Sequence, residues 1–197
     1  MKCLVCFAAV LVAMAMGAAA QNMGSDERAF VAGGEGRFDL SAGDYDFAPA
    51  ADNRLHITWR GDRGEDVSRV KVAIKVVGSV ATVETSGPHN NMHYTIEVPK
   101  TTNLVVRLTA GDIRIGSIEG NKDIGIRAGD LRIVVGNDPD KYGQVDLSVN
   151  AGDINASLFG GSKDGLFRSF HWTGKGSYRV RAHLWAGDIN LVASDSI

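Results

Sequence analysis

Apolar residues recur at every second position through most of the chain, which is the pattern of strands with one buried face. Leu55, Ile57 and Trp59 alternate with His56 and Thr58, and Val70, Val72, Ile74 and Val76 alternate with Lys71, Ala73 and Lys75. Gly78-Ser79 predicts a hairpin turn into residues 80–84. Tyr94, Ile96 and Val98 form another run, ended by Pro99. After residue 21 no stretch carries the 3.6-residue period of an amphipathic helix. Residues 21–29 are polar and are expected to be a flexible leader.

A second pattern is superimposed on the alternation. The tripeptide Ala-Gly-Asp occurs five times, beginning at Ala42, Ala110, Ala128, Ala151 and Ala186, where composition alone would give well under one occurrence. Three residues before each glycine stand Leu40, Leu108, Ile126, Val149 and Leu184; two after it stand Tyr45, Ile113, Leu131, Ile154 and Ile189. The apolar positions are odd before the glycine and even after it, so the phase slips by one residue at Gly-Asp. A bend does this, and glycine permits the backbone angles a bend needs. Each unit therefore reads as strand, bend, strand, with both strands facing one core. The bend residues are Gly43, Asp44, Gly111, Asp112, Gly129, Asp130, Gly152, Asp153, Gly187 and Asp188.

The last four of these glycines are 18, 23 and 35 residues apart. Periods near 20 suit the coils of a β-solenoid, and the longest step is expected to hold an inserted loop. The fold expected is all-β: a single-domain, β-helix-like solenoid stack over residues 30–197, with hairpin strands in its N-terminal part. Ile113, Leu131, Ile154 and Ile189 should form an internal apolar ladder. Arg114, Arg132, Asn155 and Asn190 should form an external polar one.

The chain opens differently. Lys2 is followed by an apolar run over residues 4–16 and then by Gly17-Ala18-Ala19-Ala20-Gln21. A positive start, an apolar core and small residues at the cut make a secretory signal over residues 1–20, cleaved between Ala20 and Gln21. Both cysteines, Cys3 and Cys6, lie inside it, so the mature chain has no disulfide or thiol chemistry. The expected location is periplasmic, cell-surface or secreted, without a membrane span in the mature chain. Glycine is abundant, 24 of 197 residues against only 4 prolines, which fits a turn-rich β protein and excludes collagen. The net charge of −2 leaves no broad basic surface for nucleic acid.

Residues Tyr94-Thr95-Ile96-Glu97-Val98-Pro99-Lys100, then Asn103-Leu104, then the stacked Ala-Gly-Asp-Ile units, resemble the bacterial DUF4097 "putative adhesin" family of secreted, repetitive β proteins. Gly120 before Asn121-Lys122-Asp123 falls where that family places a glycine between coils. Leu166 to Phe170, Gly176-Ser177-Tyr178-Arg179 and Ala186-Gly187-Asp188-Ile189 are similar to the end of its members. The resemblance implies a repetitive extracellular β fold and brings no catalytic residues with it.

Several groupings invite chemistry. Stacked aspartates Asp112, Asp130, Asp153 and Asp188 would suit a hard cation or acid groups for polysaccharide cleavage. Aspartate equally accepts backbone N–H bonds at turns, and its recurrence in every unit, Asp44 included, favours a structural corner. His89 and His93 are four apart, but Gly87-Pro88 precedes them and the strand pattern follows, so no helix presents both to one metal. Arg60-Gly61-Asp62 is a tripeptide some host receptors recognise, and would need an exposed loop. Phe167, Phe170, Trp172 and Tyr178 form a candidate ligand surface, or a lid over the last coil. His56, His171 and His183 read as isolated. Gly33-Gly34-Glu35-Gly36 lacks the spacing of a dinucleotide fingerprint, and no Gly-x-Ser-x-Gly elbow is found. No catalytic, cofactor or metal residue is assigned. The expectation is an exported, non-enzymatic β-solenoid acting as an adhesin-like interaction module, with an unidentified protein or glycan partner at the cell envelope. The alternative is a carbohydrate-binding or carbohydrate-active envelope protein.

Overall fold

The computed structural model describes residues 23–62, 67–87 and 91–194; the expected signal segment and the expected Ala20–Gln21 cleavage point, His89 and the last three residues lie outside the described part. Among the described residues seventeen strands follow one another: β1 (Met23–Ala29), β2 (Glu35–Leu40), β3 (Asp44–Ala50), β4 (Arg54–Gly61), β5 (Lys71–Val77), β6 (Val80–Ser86), β7 (Met92–Pro99), β8 (Asn103–Ala110), β9 (Ile113–Ile115), β10 (Lys122–Ala128), β11 (Leu131–Val134), β12 (Tyr142–Ala151), β13 (Ile154–Ala156), β14 (Gly161–Lys163), β15 (Leu166–Thr173), β16 (Tyr178–Ala186) and β17 (Ile189–Val192). Apart from three short 3-10 turns, no helix occurs among the described residues, and none there is long and apolar enough to cross a membrane.

The strands form two mixed sheets. The nine-stranded sheet runs β1-β4-β7-β3-β9-β11-β17-β13-β14, and the eight-stranded sheet runs β15-β12-β16-β10-β8-β2-β6-β5. Each Gly-Asp bend carries the chain from the second sheet to the first: β2 passes to β3, β8 to β9, β10 to β11, β12 to β13 and β16 to β17. The phase slip in the sequence is this passage, because the strand must turn its apolar side inward again after changing sheets. Phe38 of β2 and Phe47 of β3 meet edge to face across the interior, ring centroids 5.0 Å apart. The core runs continuously from Phe30 to Leu191.

Equivalent strands pair in parallel and in register, Ile113 with Leu131, Leu131 with Ile189 and Ile189 with Ile154. The spatial order of the units is not the order of the sequence. The last unit, β16 and β17, inserts between the third and the fourth. The longest step between glycines makes this possible. It was expected to be a loop, but it contains β14 and β15, which return antiparallel along β13 and β12 and form one end of each sheet. From there the chain re-enters the middle. At the other end, residues 23–29 are not a leader. They form β1, paired antiparallel with β4 from Met23 opposite Arg60 to Ala29 opposite Arg54. Its polarity misled the sequence reading: an edge strand needs little apolar surface when backbone pairing holds it. The predicted hairpin at Gly78-Ser79 joins β5 to β6.

Candidate functional site

The five bends stack at one edge of the molecule. Their glycines have φ between +115° and +153°. Four of the five N–H groups donate across to the alanine carbonyl of the next bend, as in Gly129 to Ala186 at 3.0 Å, and that of Gly152 donates to the Gly165 carbonyl at 3.2 Å. The aspartates form a relay. The backbone N–H of Asp130 donates to Asp112 Oδ1 at 3.0 Å, that of Asp188 to Asp130 at 2.8 Å, and that of Asp153 to Asp188 at 2.9 Å. Gly165 N–H donates to Asp153 at 3.2 Å and ends the series. Each carboxylate therefore serves the neighbouring bend, and not its own as turn chemistry suggested. Arg114, in the polar ladder beside it, lies 3.9 Å from Asp112 and 3.6 Å from Asp46. Among the described residues no group of three or more His, Cys, Asp and Glu is placed to hold a metal ion.

The far end of this column meets two of the sequence candidates. His93 stands between Asp62, 2.9 Å from Nε2, and Asp44, 3.5 Å from Nδ1. Arg60-Gly61-Asp62 is not a free loop. Arg60 and Gly61 belong to β4 and pair with His93 and Met92, and the Asp62 carboxylate is held by His93. The histidines read as isolated have partners too. His56 contacts Asp52 and Glu27, His171 bonds Asp146 and Thr173, and His183 Nδ1 bonds Ser148 at 2.8 Å. Of these partners, Glu27, Asp146 and Ser148 lie on neighbouring strands, and such partners cannot be found from one strand's sequence.

The four candidate aromatics separate. Phe170, Trp172 and Tyr178 are half-buried against the core. Phe170 lies over Gly161, where a Cβ would come within 2.1 Å of its ring, and Trp172 packs edge to face on Phe159 at 4.9 Å. Phe167 points away, 80 % exposed, at positive φ.

Phe167 belongs instead to the outer face of the eight-stranded sheet, and there the structure shows what the sequence reading missed. Val180, Ala182 and Leu184 of β16 face the core. Arg179, Arg181, His183 and Trp185 therefore face outward in one row, about 6.6 Å apart. Trp185 is 62 % exposed. The alternation of β16 was legible, but its polar side looked like an ordinary solvated face.

A groove of about 320 Å³ flanks the Arg179 end of the row and includes Asn103, Asn121, Asp123, Asp146, Arg179 and Arg181 in its lining. Each of its three carboxylates already carries at least one donor. Asp146 is bonded by His171 and by Gln144 Nε2 at 2.6 Å, Asp123 by Arg107 at 2.8 Å, and Glu35 by Arg37 at 2.6 Å. The side-chain carbonyls of Asn103 and Asn121 accept the N–H groups of Asn121 and Arg179, both at 2.9 Å, which leaves their amide NH₂ groups as donors. Arg181 lies in register between Asp146 and Asp123, but other groups hold both carboxylates. Among the described residues the guanidinium groups of Arg127, Arg179 and Arg181 have no hydrogen-bond or ion-pair partner.

No family model matches the chain, and no curated protein matches it. Solved structures do. A "putative cell adhesion protein" from Clostridium sporogenes is 13 % identical, with a TM-score of 0.52 over 86 % of this chain and 98 % of that one. A "putative adhesin" from Bacteroides fragilis is 10 % identical over 87 % of this chain and 98 % of that one, with a TM-score of 0.30. At these identities what is shared with the Clostridium sporogenes protein is the fold alone, two β sheets around one core.

Proposed function

We propose that the protein is an exported, non-enzymatic, adhesin-like module that binds a partner at the bacterial envelope through the outer face of its eight-stranded sheet. The observation that carries this reading is the β16 row, in which exposed Trp185 stands beside unpaired arginines; tryptophan and arginine are the residues enriched where surfaces bind. The name of the Clostridium sporogenes structure points the same way. Membership of the DUF4097 family, and a solenoid stack whose last coil is interleaved, are part of the same proposal; the in-register parallel pairing of the units supports both. Residues 1–20 are proposed to be the export signal, and intact mass of protein from a periplasmic or culture fraction should begin at Gln21. The Gly-Asp bends are proposed to be structural, because each carboxylate is committed to a neighbouring backbone N–H.

The test is retention. The mature chain, incubated with isolated bacterial envelopes, should sediment with them, and Trp185→Ala should sediment less. An unretained parent chain overturns the reading. Release of reducing ends from envelope polysaccharide would overturn its non-enzymatic part.

A further inference from the structure

Resting on that reading, we infer that the β16 row and its groove bind an acidic polysaccharide, a chain of sugars carrying carboxylate or similar anionic groups. Three observations converge on this class. First, the side chains of the groove that have no partner of their own are donors: the guanidinium groups of Arg179 and Arg181 and the amide groups of Asn103 and Asn121, while each acidic side chain already carries a donor from the protein. A ligand that supplies acceptors meets these donors, and two unpaired guanidinium groups favour negative charge. Second, the row is linear. Arg179, Arg181, His183 and Trp185 span about 20 Å along one strand, so an extended chain engages it better than a single small anion. Trp185 then supplies a flat apolar ring for the C–H face of a sugar. Phe167 lies two strands away across Asn150, a separation of about 10 Å, and offers a second ring at its margin. Arg127, adjacent to Trp185 across the β10–β16 pairing, adds another unpaired charge.

Third, the location disfavours a peptide. An extended peptide is commonly taken up by pairing with an edge strand. β16 is a central strand, hydrogen-bonded to β10 on one side and β12 on the other. It has only side chains to offer, which suits stacking and ionic contacts to a glycan.

The experiment titrates the mature chain with mannuronate oligomers, with cello-oligosaccharides of the same length, with polyglutamate and with phosphatidylglycerol vesicles. The mannuronate oligomers should bind at least about tenfold more tightly than the neutral oligosaccharide, and salt should weaken them. The R179Q/R181Q double variant and Trp185→Ala should each lose about tenfold or more with unchanged melting temperatures, since all three side chains are on the surface. Absence of mannuronate binding overturns the inference. So does equal binding of cello-oligosaccharide, of polyglutamate or of vesicles, or unchanged affinity in the double variant. If any of these occurs while the parent chain is still retained by envelopes, the adhesin-like reading stands and only the ligand class falls. Loss of envelope retention by the parent removes the reading itself.

Discussion

Gly129 shows how tightly a single residue is held. Its φ is +133°, and a Cβ there would stand 1.9 Å from the Gly111 carbonyl oxygen. Backbone strain and a backbone clash coincide, so Gly129→Val should cost at least about 3 kcal/mol. Asp130→Ala should cost about 1 kcal/mol, because it removes one acceptor from the Asp188 N–H at a partly solvated edge. Urea denaturation of both variants checks the ranking, and a Gly129→Val chain as stable as the parent would contradict the corner geometry. Lys122 makes a different prediction. It is 2 % exposed, in a core-facing position, and its ammonium donates to the carbonyls of Ile118 at 2.7 Å and Gly120 at 3.2 Å. Burial pushes its pKa down to about 8, against the smaller opposing pull of Glu119. Between that value and its ordinary value near 10.4 the unfolded chain holds a proton that the folded one has released, so stability should rise with pH across this window. Burial holds Tyr142 up at about 12. Above pH 10 the folded state therefore keeps a proton that the unfolded tyrosine has lost, and stability should fall. Urea midpoints from pH 7 to 11 should rise and then fall, and in Lys122→Met the rise should vanish.

Among the elements, β15 was the least legible. Its sequence, Leu166 to Thr173, carries aromatics on both sides of the alternation, which fits neither a half-buried strand nor a loop with a function. The structure accounts for this. Phe170 and Trp172 turn inward to cover the open end of the core, while Phe167 and His171 turn outward. Trp172→Ala should therefore destabilise by about 2 to 3 kcal/mol, below the usual range for a fully buried tryptophan, and should leave mannuronate affinity unchanged. Chemical denaturation and titration of the one variant separate the two effects. A loss of affinity at constant stability would return Trp172 to the ligand surface. The Gly-Asp units were legible because each bend needs the same two residues for the same backbone reason. β1 was not, because nothing in a polar strand announces the partner that holds it.

In the whole molecule, the interleaved last unit has a consequence for folding. In a stack that follows chain order, removing the final unit shortens one end and leaves the rest intact. Here β16 joins β10 to β12, and β17 joins β11 to β13. A chain ending at residue 177 would lose the middle of both sheets and strand β12 to β15 without a partner on one side. It should show no cooperative unfolding transition followed by circular dichroism, whereas the full chain should show one. A truncated chain that melts cooperatively near the parent temperature would refute the interleaving. The same insertion assembles the candidate site, since it puts Arg179, Arg181, His183 and Trp185 in the interior of a broad face and not at its rim.

Local chemistry explains what was legible in the sequence. Alternation identifies strands with one buried face, a phase slip at Gly-Asp identifies bends, and recurrence of the bend identifies units that stack, because these depend on neighbouring residues and the backbone alone. The order of the units, the role of β1 and β15, and the partners of Asp146, His171 and His183 depend on which strands lie side by side. That is decided by packing of the whole chain. The unpaired arginines of β16 are of this second kind. Arg181 stands unpaired beside two carboxylates that His171, Gln144 and Arg107, from three other places in the sequence, already engage.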